Sequence, residues 1–66
     1  MFAEERKEEI MRLLKENKRV SSAELSERFH VSGTTVRTYL MELEKAGRLI
    51  RTHGGALLND DILNVE

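Results

Sequence analysis

The tightest constraint on this chain is the spacing of two apolar patterns in its middle. Leu25 and Phe29 stand four residues apart with Ala23 nearby, and after the short link His30-Val31 the residues Val36, Leu40 and Leu43 recur at intervals of four and three. Both are helical spacings. Each pattern opens on a serine suited to accept from a free helix N–H. Ser21 stands three residues before Glu24, the order of a capping box, and Ser32 precedes the second pattern. The first of these helices has about two turns and ends around His30. The second runs from Gly33 to Ala46, where Gly47 suits a left-handed C-cap behind Lys45. A two-turn helix is not stable alone, so it must be packed against its neighbours. Two helices joined in this way form a helix-turn-helix.

The flanking segments complete the expected fold. From Ala3 to about Asn17, Ile10, Leu13 and Leu14, with Met11 beside them, repeat at helical spacing among Glu, Lys and Arg. Lys18-Arg19-Val20-Ser21 breaks that pattern and suits a short extended connection or an edge strand. Arg48 to Thr52 reads as a strand, and Gly54-Gly55 reads as a two-residue turn with positive φ that returns the chain through Ala56-Leu57-Leu58. The expectation is a mainly α fold, a winged helix-turn-helix of three helices plus a small β-hairpin wing, over residues 1–58. Residues 59–66 lose periodicity and turn acidic, as a tail or as the start of a linker to an absent effector domain.

Composition narrows the function classes. Sixty-six residues leave room for one small core. With 39% hydrophobic and 35% charged residues the chain is neither disordered nor membrane-like. The absence of cysteine removes disulfides and thiolate sites, and a cytoplasmic location is expected. Two histidines without cysteine make no metal site, and Ser32 near His30 lacks a third orienting group, so neither a cofactor nor an enzyme is expected.

A net charge of −1 hides an asymmetry. Residues 28–53 hold Arg28, Arg37, Lys45, Arg48 and Arg51 against Glu42 and Glu44, a local excess of three positive charges, whereas residues 1–27 are nearly balanced. With Val36, Leu40 and Leu43 turned to the core, a helical wheel at roughly 100° per residue sets Thr34, Thr38, Met41 and Lys45 opposite. Arg37 lies at the edge of that face and Thr35 on its other flank. A second helix of a helix-turn-helix bearing such a face is suited to a DNA major groove, with Arg37 the leading base reader. Arg51, on the strand, suits phosphate contact.

The residues Val31-Ser32, Thr35-Val36-Arg37, Leu40, Leu43-Glu44, Gly47-Arg48-Leu49 and above all Arg51-Thr52-His53-Gly54-Gly55-Ala56 resemble the DeoR-type repressor family over about residues 5 to 58. The resemblance implies a winged helix-turn-helix that binds operator DNA. It also implies a larger C-terminal domain that senses a phosphorylated sugar or related metabolite, through which the parent chain forms a homodimer or higher oligomer. The exposed face of the third helix and the start of that helix give Ser32, Thr34, Thr35, Arg37, Thr38, Met41 and Lys45 as expected DNA contacts, the strand gives Arg51, and the resemblance implies a wing contact at His53 and Gly54. After Arg37 the family pattern has a second arginine and then an aspartate, where this chain has Thr38 and Tyr39. Thr38 keeps a hydroxyl on the exposed face without the charge, and Tyr39 is expected to pack its ring with a wet hydroxyl. The functional expectation is a sequence-specific DNA-binding domain of a bacterial repressor of sugar metabolism genes. The alternative is a winged-helix module that docks an acidic protein.

Overall fold

The computed structural model describes residues 2–59. Its elements run α1 (Ala3–Asn17), β1 (Arg19–Ser21), α2 (Ser22–Phe29), α3 (Gly33–Lys45), β2 (Leu49–Thr52) and β3 (Gly55–Leu58). The expected acidic tail lies outside the described residues from Asp60 onward; Asn59 donates from Nδ2 to the Gly47 carbonyl at 3.0 Å.

Local chemistry sets the helix ends. Glu5 reaches back to accept from the Phe2 N–H at 2.7 Å, closing the start of α1. Ser21 Oγ accepts from the Glu24 N–H at 3.4 Å and Ser32 Oγ from the Thr35 N–H at 3.1 Å, as the sequence suggests. At the end of α3, Gly47 takes φ +77, and two backbone bonds, Gly47 N–H to Glu44 and Arg48 N–H to Leu43, close a Schellman motif. The end of α2 uses the same left-handed position without a glycine: His30 sits at φ 57, and the Val31 N–H reaches the Ser26 carbonyl at 3.1 Å.

The three helices bury one face each. Ile10, Met11 and Leu14 of α1, Leu25 and Phe29 of α2, and Val36, Tyr39, Leu40 and Leu43 of α3 meet Leu49 and Ala56 of the sheet in one core. Leu13 is only partly buried, at the margin of that core. Val36 and Leu40 are almost wholly enclosed, so Leu40→Ala would cost about 2–5 kcal/mol in lost burial and cavity.

The wing is larger than a hairpin. The extended segment before α2 becomes β1 and adds to β3, giving an antiparallel sheet in the order β1-β3-β2. Arg19 faces Leu57, which faces Ile50, so these three side chains form one row on the outer side of the sheet; Val20 and Ala56 face the core.

This third strand corrects the expected turn. The turn residues are His53 and Gly54, with Gly54 at φ +89, whereas Gly55 is the first residue of β3 and has no positive φ. Gly55 is required for another reason. A Cβ there would fall inside the Val20 carbonyl of β1, so only glycine lets the two strands approach.

Candidate nucleic-acid interface

The exposed side of α3 is built by the burial of its other side. Thr34, Arg37, Thr38, Met41 and Lys45 are all exposed, and Met41 keeps 46% of its surface accessible, a large value for a thioether. Ser32 is also exposed but engaged: besides capping α3 it shares a 3.0 Å hydroxyl bond with Thr35, which is half-buried. The Thr38 hydroxyl donates to the Thr34 carbonyl one turn earlier, at 3.1 Å. Tyr39 packs its ring in the core, and its phenolic oxygen accepts from Arg6 Nη1 at 2.8 Å, tying α1 to α3; Arg6 Nε is buried with no partner among the described residues.

Charge on this surface is decided by pairing. Of the five cations that make residues 28–53 basic, three are held by carboxylates: Arg28 by Glu9 at 3.1 Å, Arg48 by Glu8 at 3.4 Å and Arg51 by Glu44 at 3.1 Å. Glu42, one of the two acids in the segment, is taken by Lys7 of α1 at 2.9 Å, which holds the Lys7 ammonium above its ordinary pKa. Arg37 and Lys45 have no hydrogen bond or ion pair among the described residues. The only acids on α3 are Glu42 and Glu44, and both are neutralised, so the exposed face presents positive charge unopposed by its own helix.

Glu9 is the hub of the opposite side. The Arg12 guanidinium at 2.6 Å, reinforced by Arg28 from α2, holds its carboxyl at about 2, well below the usual range.

The wing residues stand as follows. His53 and Gly54 are exposed at the turn, and the Gly54 carbonyl accepts from the Ser22 N–H at 2.8 Å, so the turn is fastened to the first residue of α2. Arg51 is exposed, but its Nε and backbone N–H both go to Glu44, which makes it a brace between β2 and α3 before it is anything else. One residue escaped the sequence reading. Arg19 of β1, without a described partner, borders the same groove as Ser21, Thr52, His53 and Gly54. Its place depends on β1 joining β3, and only the isolated β-branched Val20 hinted at that strand.

Among the described residues no group of three or more His, Cys, Asp or Glu could hold a metal ion, and no helix is long and apolar enough to cross a membrane.

Comparison with known proteins agrees with this geometry. Residues 6–61 match the family model of the DeoR-like helix-turn-helix domain. The chain is similar to the HTH-type transcriptional regulator GolR of Listeria innocua, 41% identical over 58 residues, covering 88% of this chain and 23% of the relative. It is 47% identical over 60 residues to the lactose phosphotransferase system repressor of Streptococcus mutans, covering 91% of this chain and 24% of the relative. With the glycerol-3-phosphate regulon repressor of Escherichia coli it shares 42% over 55 residues, 83% of this chain and 22% of the relative. The chain thus spans under a quarter of the length of these curated relatives. No solved structure matches. A match over nearly the whole chain, on a fold with the three helices and the wing in place, makes this chain a member of the DeoR-like helix-turn-helix domain family.

Proposed function

We propose that this chain is the operator-binding domain of a bacterial transcription repressor of sugar metabolism genes, acting in the cytoplasm, with α3 in the major groove and the hairpin turn on the DNA backbone. The observation that carries this reading is the exposed face of α3, where Arg37 and Lys45 have no partner among the described residues and are flanked by Thr34, Thr38 and Met41. A guanidinium free of internal partners can donate two hydrogen bonds to a guanine edge, and a free ammonium suits a phosphate. Ser32, Thr35, Arg51, His53 and Gly54 complete the proposed contact set, and Arg19 extends it beside the turn. The names of the relatives, repressors of lactose and glycerol-3-phosphate systems among them, support the repressor role. Their greater length supports a further effector domain in the parent protein, through which it would pair on a symmetric operator. No catalysis belongs to this reading.

The test is binding of the full chain to duplex DNA. Selection from a duplex library with a randomised core should enrich one sequence class. Affinity for it should fall with added salt at a log–log slope of about −3 to −5, as expected for a handful of phosphate contacts. A module that docks an acidic protein would enrich no sequence.

A further inference from the structure

Resting on that reading of α3, we propose that Thr38 and Met41 form an apolar reader of a thymine methyl, next to the base pair met by Arg37. The chemistry begins with the Thr38 hydroxyl. Its proton is donated to the Thr34 carbonyl at 3.1 Å, so it has no hydrogen left to give a base acceptor such as guanine O6 or thymine O4. Cβ of threonine carries two heavy atoms, and with the oxygen turned back onto the helix the methyl becomes the outward group. Met41 lies three residues on, on the same helix face, and exposes nearly half of its surface. A methyl beside an unbranched, polarizable thioether makes a small apolar surface that can adapt its shape. It sits among positions otherwise suited to charge and hydrogen bonding.

In the major groove only thymine presents a methyl group among the four bases, so this is the feature such a surface can recognise. Its register follows from helix geometry. Arg37 and Met41 are one turn apart, about 6 Å along the axis, against about 3.4 Å per base step. The thymine therefore lies within about two base pairs of the guanine read by Arg37. Covering one methyl group contributes about four-fold in affinity.

The experiment takes the sequence class enriched from the randomised duplex library and replaces each thymine in turn by deoxyuridine, which removes the methyl and nothing else. For the parent chain, one replacement within two base pairs of the guanine lost to Arg37→Ala should weaken binding about four-fold, with the others near neutral. Met41→Ala should bring that ratio close to one. Thr38→Val, which keeps a methyl and drops the hydroxyl, should preserve the ratio, and Thr38→Ser should reduce it. Circular dichroism verifies that each variant is folded, as expected for exposed helix positions. The inference is overturned if every deoxyuridine duplex binds like its thymine parent. It is equally overturned if the ratio survives Met41→Ala unchanged, or if Thr38→Ser keeps it while Thr38→Val loses it, since the hydroxyl would then be the reader. If no sequence is enriched at all, the operator-binding reading fails and takes this inference with it.

Discussion

Glu44 of α3 accepts two hydrogen bonds from Arg51 of β2, one from Nε at 3.1 Å and one from the backbone N–H at 3.2 Å. One carboxylate thus holds both the side chain and the main chain of the wing against the proposed reading helix. Glu44→Ala removes both acceptors and leaves Arg51 a free cation. Because the pair is partly exposed, stability should fall by only about 0.5–1.5 kcal/mol. The salt slope of binding to duplex DNA should steepen by up to about one, as the Arg51 contact to phosphate is no longer shared with Glu44. Thermal unfolding and a salt titration check both effects; a variant with the parent's melting temperature and slope would mean that the brace does nothing.

Gly54 and Gly55 should fail in different ways. Gly54→Ala meets open space but forces a Cβ into φ +89, a strain of about 1–2 kcal/mol confined to the turn. Gly55→Ala drives a methyl into the Val20 carbonyl and must part β1 from β3. Amide hydrogen exchange should then show loss of protection at Val20, Ala56 and Leu58, whose N–H groups lie on the β1–β3 ladder, in the second variant alone. Equal exchange in the two variants would contradict the strand role assigned to Gly55.

His30 holds a left-handed conformation that favours glycine, and among the described residues its side chain makes no hydrogen bond or ion pair. His30→Gly should therefore stabilise the chain by about 0.5–1 kcal/mol, the relief of strain exceeding the extra backbone entropy lost. Urea denaturation reads the difference as a higher midpoint at unchanged slope.

Arg37→Ala separates base reading from phosphate anchoring. A base reader should lose about 1–3 kcal/mol on the enriched duplex and less on unrelated DNA, with relaxed preference at one base pair. A phosphate anchor should lose affinity equally on both, with the salt slope shallower by about one. Binding as tight as the parent's on every duplex would remove α3 from the mechanism.

Acid should unfasten α1 from α2 through Glu9. Its folded pKa of about 2 lies below the ordinary 4.5, so its contribution is complete above the unfolded value and is lost as pH falls through the folded one. Stability measured by urea denaturation should therefore decline between pH 4.5 and 2, and Glu9→Gln should flatten part of that decline. At neutral pH the same variant should cost no more than about 1 kcal/mol, given solvent screening of the Arg12 and Arg28 pairs. Identical pH profiles for parent and variant would remove Glu9 from the acid response.

What the amino-acid order determined by itself was local. Ser21 and Ser32 cap the helices they precede, Gly47 closes α3, and Val36, Leu40 and Leu43 turn inward. Each depends on neighbours within about one helical turn, and the periodicity of a helix carries that information directly. The candidate face of α3 was legible for the same reason: once the buried stripe is known, the exposed one is its complement. Tertiary structure decided which charges on the surface remain free. Arg28 and Arg48 meet Glu9 and Glu8, partners 19 and 40 residues away, and Glu42 is neutralised by Lys7, 35 residues earlier. A local excess of positive charge in the sequence therefore reduces to Arg37 and Lys45 in the folded chain. The role of Gly55 and the position of Arg19 likewise wait on β1 joining β3. A strand's partner lies outside its own segment, and no local pattern specifies it.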